Sequence, residues 1–297
     1  MRIARLLILI FFLITAGIFG WNEYQRISDE DTEPPVITAS SDLITVTVDA
    51  DDVDFLQGVT ATDNKDGDVT DSILVTSKSN FIEKGVFSID YAAIDSHNNV
   101  GTFSRRAAFA DYRSPVFSCE EPLMFKRGSG YEFSSLHAQD IIDGDVSNRI
   151  KVVYTSAGTT AIDMEVFMEV TNNYGDISSL NLMYDIYTNQ EYNNYHPLLY
   201  QYIVYVRPGE TYDLMANVSG YYRGGEQVTF EELDRMQEQS EQEIEKPIYW
   251  DNITVDDSEV DFETPGVYLV TYGLRSYERA LENRLGTTRM YIIVTEE

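Results

Sequence analysis

The chain has little cysteine, little histidine and no motif of a common catalytic site. Cys119 is the only cysteine among 297 residues, so no intramolecular disulfide and no zinc site built from several cysteines can form. A lone cysteine of this kind is typically a small buried hydrophobic residue. The three histidines, His97, His137 and His196, are isolated in the sequence, and HExxH, GxSxG and phosphate-loop motifs are absent. We therefore expect a protein without enzymatic activity.

Basic residues are also scarce. The chain carries 21 lysines and arginines against 50 aspartates and glutamates, which gives a formal net charge of -29. Such an excess of negative charge makes attraction to phosphate backbones or to an anionic lipid surface unfavourable. It suits a soluble exterior that repels its own copies. We therefore expect no nucleic-acid partner.

A long apolar run lies at the N-terminus. Leu6 to Trp21 carries no charge, and Arg2 and Arg5 precede it. At about 1.5 Å per residue a helix over this run covers roughly 24 Å, somewhat less than the ~30 Å hydrocarbon layer of a membrane. Trp21 and Tyr24 would lie at the interface on the far side. The run is typical of a membrane-crossing segment rather than of a buried helix, which would show a polar face.

Two interpretations of this run stay open, an uncleaved signal anchor and a cleaved signal peptide. The segment Thr15 to Gly17 only approximates a small-x-small cleavage site, and no lipobox cysteine follows the run. We predict an anchor over residues 1–24. The protein would then be a single-pass membrane protein whose C-terminal ectodomain is extracellular.

The acidic stretch Ala61 to Ile73, ATDNKDGDVTDSI, returns 77 positions later as AQDIIDGDVSNRI, Ala138 to Ile150, without a gap. A third region lacks the DGD triplet. Its segment Pro265 to Tyr272 nevertheless aligns with Lys84 to Tyr91. Repetition of this kind indicates a small module used three times, with the third copy diverged.

Strand signals dominate each module. Apolar and polar residues alternate from Val86 to Ala92, and the chain contains 21 tyrosines and 14 phenylalanines. About seven short strands within some 80 residues is the layout of a β-sandwich. One helix is predicted, because Thr229 and Glu232 form a capping box ahead of apolar residues on one face, Phe230, Leu233 and Met236.

These segments resemble a known family of surface modules. The strings PPVIT, ATDNKDGDVTDSI and KGVFSIDYAAIDSHNNVG resemble the bacterial immunoglobulin-like repeats first named from pesticidal crystal proteins, which are related to hyalin-type surface repeats. The resemblance covers Pro34 to about Ala110 well, Ser114 to Ile186 less fully and Asp251 to Val294 in part. It implies seven-stranded sandwiches on a surface or secreted protein. The second copy departs from the first by replacing Asp95-Ser96 with Asn172-Asn173.

We therefore predict an all-β protein of tandem immunoglobulin-like β-sandwiches behind an N-terminal transmembrane helix. The expected divisions after the anchor are an acidic stalk at 25–33, domain 1 at 34–112, domain 2 at 113–190, and a diverged domain 3 at 191–297 with a helical insertion at 229–245.

The acidic turns are candidate metal sites. Their oxygen-bearing side chains are Asp63, Asn64, Asp66 and Asp68 in the first copy and Asp140, Asp143 and Asp145 in the second. Calcium takes six to eight oxygen ligands, and carboxylates around a glycine turn can supply several of them, although the spacing is not that of an EF-hand. The alternative is structural, with Asp63 and Asp66 forming Asx-type turns and Gly67 adopting a positive φ. We expect no cofactor other than such a calcium ion.

Tyrosines supply the other candidate site. Tyr221 and Tyr222 precede the helical insertion, and exposed tyrosines can stack on sugars or anchor a protein partner. Ordinary packing between strands is the alternative. The expected function is a membrane-anchored bacterial cell-surface protein whose modules serve as an adhesion or spacer ectodomain, with a surface protein or polysaccharide as partner. The alternative is a glycan-binding accessory protein of cell-envelope or exopolysaccharide assembly.

Overall fold

The computed structural model describes residues 2–29, 31–157, 163–244, 246–275 and 284–296, and it begins with one long helix. Helix α1 spans Arg2–Asp29, and its segment Leu7–Gln25 is long and apolar enough to cross a membrane. No part of that segment is buried by the rest of the chain. The predicted apolar N-terminal helix is confirmed, and its length and composition fit an anchor or a signal peptide. The helix also continues into residues predicted as stalk.

The first compact unit, residues 1–112, contains one β-sandwich after α1. A three-stranded sheet has the order β1-β3-β4, and a four-stranded sheet has the order β2-β7-β6-β5, with β2 parallel to β7. The strands are β1 (Val36–Ala39), β2 (Leu43–Val46), β3 (Val59–Asp63), β4 (Gly67–Asp68), β5 (Leu74–Lys78), β6 (Val86–Ile94) and β7 (Val100–Phe109).

The core of this sandwich follows from the alternation predicted in β6. Phe87, Ile89 and Tyr91 are fully buried, while the residues between them are partly exposed. A buried arginine, Arg105, donates from Nε to the Tyr91 hydroxyl at 2.8 Å and from its terminal nitrogen to the Phe55 carbonyl at 2.6 Å. These bonds satisfy the guanidinium inside an apolar core, where an unpaired charge would be costly.

The second compact unit, residues 113–297, begins with a sandwich of the same design. Its sheets have the orders β11-β10-β8 and β12-β13-β14-β9, and β9 is parallel to β14 just as β2 is to β7. The strands are β8 (Val116–Cys119), β9 (Met124–Lys126), β10 (Leu136–Asp140), β11 (Gly144–Asp145), β12 (Lys151–Ala157), β13 (Asp163–Thr171) and β14 (Ile177–Tyr187).

The same unit continues with the third, diverged sandwich. Its sheets have the orders β15-β17-β18 and β16-β21-β20-β19. The elements are α2 (Asn189–Tyr192), β15 (His196–Leu199), β16 (Ile203–Val206), β17 (Val218–Arg223), β18 (Glu226–Thr229), α3 (Phe230–Gln239), β19 (Ile253–Asp256), β20 (Gly266–Leu274) and β21 (Thr288–Val294).

Helix α3 is the predicted insertion, and it is shorter than predicted. The capping box between Thr229 and Glu232 is present, and Phe230 and Leu233 are buried. Met236, predicted on the same face, is exposed. The helix ends at Gln239, because Ser240 already adopts an extended backbone conformation. The last predicted residue, Glu245, lies outside the described residues.

The second and third sandwiches share one hydrophobic core, which runs from Phe117 to Val294. Backbone groups also cross between them, since Tyr202 N–H donates to the Cys119 carbonyl at 2.8 Å and Met183 N–H donates to the Tyr291 hydroxyl at 2.8 Å. Cys119 is buried in this core, as predicted, and burial raises the pKa of its thiol. The two sandwiches therefore pack as one body.

A buried charge cluster joins the same two sandwiches. Arg289 of β21 lies 3.3 Å from an Asp163 carboxylate oxygen and 3.1 Å from an Asp185 oxygen, and both acids are almost fully buried. Burial raises the pKa of Asp185 to about 6, although Arg289 opposes the shift. Arg289 of the third sandwich thus pairs with one carboxylate on each of two strands of the second sandwich, β13 and β14.

Candidate metal centre

The acidic turn of the first sandwich connects β3 to β4. The Asp63 carboxylate accepts hydrogen bonds from the backbone N–H groups of Lys65 at 2.8 Å and Asp66 at 2.9 Å. These bonds lower the pKa of Asp63, and Gly67 has a φ of 75°. The structural alternative, an Asx-type turn with a left-handed glycine, is therefore present at this position. It uses only one of the two oxygens of Asp63.

The other three residues predicted as ligands in this copy bind protein groups. Asp66 accepts from Ser96 through both of its oxygens, at 2.6 Å from the backbone N–H and at 2.9 Å from the hydroxyl. Asp68 is exposed and accepts from the Thr70 N–H at 3.0 Å. The Asn64 amide donates to Glu33 at 2.9 Å. Of the four predicted ligands, the structure places only Asp63 in a cluster of acids.

That cluster consists of Asp31, Asp63 and Asp95. One carboxylate oxygen of each lies within 4.8 Å of those of the other two. The three side chains come from the segment after α1, the end of β3 and the turn between β6 and β7, and all are nearly buried, with 5%, 9% and 6% exposure. The sequence alone did not indicate that Asp31 and Asp95 belong to this cluster. A signal was available for Asp95, because the turn that carries it and the turn that carries Asp63 lie at the same end of the predicted sandwich.

The hydrogen bonds of the cluster leave oxygens without partners. The Glu33 N–H donates to Asp31 Oδ1 at 3.1 Å, and Asp63 uses Oδ1 for its turn. Asp31 Oδ2 and Asp63 Oδ2 are buried and have no hydrogen-bond partner. Asp95 Oδ1 accepts from two backbone N–H groups at 2.8 Å, and its Oδ2 accepts from the Asn99 amide at 2.7 Å. Burial raises the pKa of Asp95, but these bonds outweigh burial and lower it overall.

A close approach of two backbones holds Asp31 in position. A Cβ atom on Gly101 would lie 1.9 Å from the Pro35 carbonyl oxygen, so only glycine allows the chain entering β1 to pass this close to β7. The Asn99 amide also donates to the Asp31 carbonyl at 3.1 Å. The segment that carries Asp31 is therefore attached to the turn that carries Asp95.

The second copy of the turn has a different arrangement. Asp140 occupies the position of Asp63 and accepts from the Ile142 and Asp143 N–H groups at 2.9 and 2.8 Å. Asn172 occupies the position of Asp95, and its amide donates to Asp140 Oδ2 at 3.2 Å. The oxygen that has no partner in the first copy thus has one in the second.

The remaining predicted residues of the second copy also bind protein groups. Asp143 accepts from the Asn173 N–H at 2.7 Å and pairs with Arg149 at 2.7 Å. Asp145 accepts from the Ser147 N–H at 2.9 Å. These contacts reproduce the structural role of Asp66 and Asp68 in the first copy.

Tyr221 and Tyr222 are buried, each with 8% exposure. The Tyr222 hydroxyl contacts the Tyr192 hydroxyl, and the Tyr221 ring packs edge-on against Tyr195 at 5.4 Å between centroids. The packing alternative therefore describes both residues, and neither ring is free to stack on a ligand at the surface. The larger exposed rings of this unit include Tyr200 and Trp250.

Comparison with known proteins shows a match to one family model over part of the chain. Residues 39–108 match the family model described as bacterial surface protein, Ig-like domain. The match lies within the first sandwich and supports a bacterial surface Ig-like domain there. The narrower resemblance to the repeats named from pesticidal crystal proteins stays a prediction. No curated protein sequence matches the chain significantly.

Several solved structures are similar to the chain at low identity. CBM51-2 in complex with GlcNAc, with the INT domains from Clostridium perfringens ZmpB, is 16% identical with a TM-score of 0.21, and the match covers 52% of this chain and 42% of that one. The lipoprotein BT2262 from Bacteroides thetaiotaomicron is 12% identical with a TM-score of 0.20, covering 86% and 98%. The extracellular domain of Protocadherin GammaB4 is 12% identical with a TM-score of 0.19, covering 90% and 50%. The chain thus spans about two fifths of the length of the first of these.

Proposed function

We propose that the protein is a membrane-anchored bacterial surface protein whose three sandwiches form an adhesion or spacer ectodomain without catalytic activity. The observation that carries the proposal is the order of parts, an apolar helix of membrane-crossing length followed by a surface-type Ig-like domain. The strongly negative charge suits an exterior that repels its own copies, as a protruding ectodomain requires.

The orientation in the membrane can be tested with cysteine labelling. The chain offers a low background, because Cys119 is buried and its thiol pKa is raised. An Ile82→Cys variant places a thiol at a 60% exposed position of the first sandwich. We expect a membrane-impermeant maleimide to label this variant on intact bacteria, while the wild-type chain stays unlabelled.

The matched control is Ile3→Cys, which places a thiol at the N-terminal end of α1, whereas the first sandwich follows the C-terminal end. We expect this thiol to react only after the cells are permeabilised. Labelling of Ile82→Cys only after permeabilisation would contradict the surface proposal. A mature chain that lacks residues 1–24 by mass spectrometry would replace the anchor with a cleaved signal peptide and leave the ectodomain assignment in place.

Glycan binding in cell-envelope or exopolysaccharide assembly is a second candidate function, and the exposed indole ring of Trp250 favours it. Trp250 is 38% exposed, and its ring is held edge-on by Phe230 at 4.7 Å and Tyr249 at 6.4 Å between centroids. A fixed, partly exposed indole is suited to stacking on a sugar face. We expect glycan-array binding by the full chain to be lost in Trp250→Ala and kept in Tyr200→Ala. Binding to no glycan, together with capture of a defined surface protein, would favour the adhesion role.

A further inference from the structure

The three clustered carboxylates of the first sandwich have little to neutralise them. Among the described residues, no lysine or arginine forms an ion pair with Asp31, Asp63 or Asp95. Buried charges of one sign are costly unless they are paired or bind a metal ion.

The free oxygens suit a hard divalent cation. Calcium binds carboxylate oxygens at about 2.3 to 2.6 Å, so ligands on opposite sides of one ion lie up to about 5 Å apart. One carboxylate oxygen of each acid lies within 4.8 Å of those of the other two. In addition, Asp31 Oδ2 and Asp63 Oδ2 are buried without any hydrogen-bond partner. These two unpartnered oxygens indicate a ligand that the acidic composition alone would not indicate.

We propose that Asp31, Asp63 and Asp95 bind one calcium ion, which fastens the segment that follows α1 to the first sandwich. Asp31 lies just beyond the end of α1 at Asp29, whereas Asp63 and Asp95 belong to the sandwich itself. The ion therefore links the chain leaving the membrane to the turns of the first domain. The site is distinct from the predicted acidic turn, with which it shares only Asp63.

The second copy of the module supplies an internal control for this site. Where Asp95 stands in the first copy, Asn172 donates its amide to Asp140 Oδ2 at 3.2 Å. A side-chain amide thus satisfies the oxygen that the ion satisfies in the first copy. Asp95→Asn is therefore a conservative variant, because the protein already uses asparagine at the equivalent position of a folded sandwich.

Calcium should stabilise the first compact unit of the full chain. The probes are calcium chloride and magnesium chloride added separately to the detergent-solubilised protein after treatment with EDTA. We expect millimolar calcium, the range typical of extracellular modules, to raise the Tm of the first unit by about 5 °C. Magnesium should have a much smaller effect, because it prefers octahedral sites that retain water.

Two variants separate this site from the acidic turn. Asp95→Asn should lose most of the calcium-dependent shift, while Asp68→Asn should keep it, because Asp68 is exposed and outside the cluster. Isothermal titration should give one ion per wild-type chain. An unchanged wild-type Tm at 10 mM calcium, or a shift that survives in Asp95→Asn, would overturn the proposal.

A spin label reports the link to the membrane segment directly. Thr32 is exposed, and the Thr32→Cys variant carries the only accessible thiol because Cys119 is buried. We expect calcium to immobilise a nitroxide at position 32 in the full chain and to have no effect in the Asp95→Asn background. Equal mobility with and without calcium would show that the segment is not fastened by the ion. This outcome is independent of surface labelling, so it leaves the proposed surface function unaffected.

Discussion

The first and second sandwiches have the same strand order and the same acidic turn, yet each satisfies that turn differently. In the first, Asp63 faces two further acids and retains an unpartnered oxygen. In the second, Asn172 donates to Asp140. The neighbourhoods also differ, because the first sandwich has its own core while the second shares a core with the third. A repeated sequence motif therefore preserves the turn, and single residues outside it decide whether the second oxygen of its first aspartate has a hydrogen-bond partner.

The largest expected effect comes from breaking the buried cluster of Arg289, Asp163 and Asp185 in the second unit. Arg289→Met leaves the buried acids Asp163 and Asp185 without their cation. Removing one partner of such a buried cluster costs roughly 3 to 5 kcal/mol. We expect calorimetry of the full chain to show a large drop in the Tm of the second unit and no change in the first.

The matched control lies in the first unit. Arg106→Met removes an exposed pair with Glu83, in which the two side chains are 51% and 68% exposed. Such pairs contribute about 0 to 1 kcal/mol. Equal losses in the two variants would contradict the view that the second and third sandwiches are held together by a buried charge.

The next effect tests the difference between the two turns. Asn172→Asp removes the amide that donates to Asp140 and puts two nearly buried carboxylates together. We expect the second unit to lose about 2 kcal/mol of unfolding free energy at pH 7 in EDTA, because a buried charged acceptor is left unsatisfied. Urea unfolding measures this loss. A smaller loss at pH 4 than at pH 7 would support its electrostatic origin, and an equal loss would contradict it.

The sequence predicted the sandwiches well because two kinds of signal agreed. Alternation in β6 matches its alternating burial, and the repeated turns mark equivalent positions in the first two sandwiches. The division of the chain into two bodies could not be predicted, since a shared core depends on contacts between strands far apart in sequence, such as Met183 and Tyr291.

The cluster of Asp31, Asp63 and Asp95 was only partly predictable. Asp63 lies in the repeated motif, but Asp31 lies in a segment expected to be a stalk and Asp95 in a turn whose residues are ordinary turn formers.

The burial of Tyr221 and Tyr222 could not be predicted from the sequence for a different reason. Strand β17 lies between β15 and β18, and α3 packs against it, so both of its faces are buried. The sequence around the two tyrosines does not indicate that α3 folds back against β17.

A pH-dependent difference between the units follows from Asp185. Its pKa is raised from an ordinary 3.8 to about 6 in the folded protein, so the folded state binds the proton more strongly. The stabilisation from this proton is complete below pH 3.8 and is lost as the pH rises through about 6. Relative to Asp185→Asn, we expect the wild-type second unit to lose about 1 kcal/mol between pH 5 and pH 7. Urea unfolding of both proteins at the two pH values measures it, and a parallel pH dependence would contradict the assignment.

The smallest expected effect tests whether the turn between β6 and β7 and the turn between β13 and β14 have the same backbone conformation. Asn98 has a φ of 65°, and Gly175, its counterpart in the second copy, has a φ of 82°. Asparagine and glycine both tolerate this left-handed conformation. We therefore expect Asn98→Gly to change the unfolding free energy of the first unit by less than about 0.5 kcal/mol and to leave its calcium response intact, whereas Asn98→Val should cost about 1 to 3 kcal/mol. A large loss of unfolding free energy in Asn98→Gly would mean that the Asn98 side chain, rather than its backbone conformation, stabilises the turn. Asn98 and Gly175 would then not be equivalent positions.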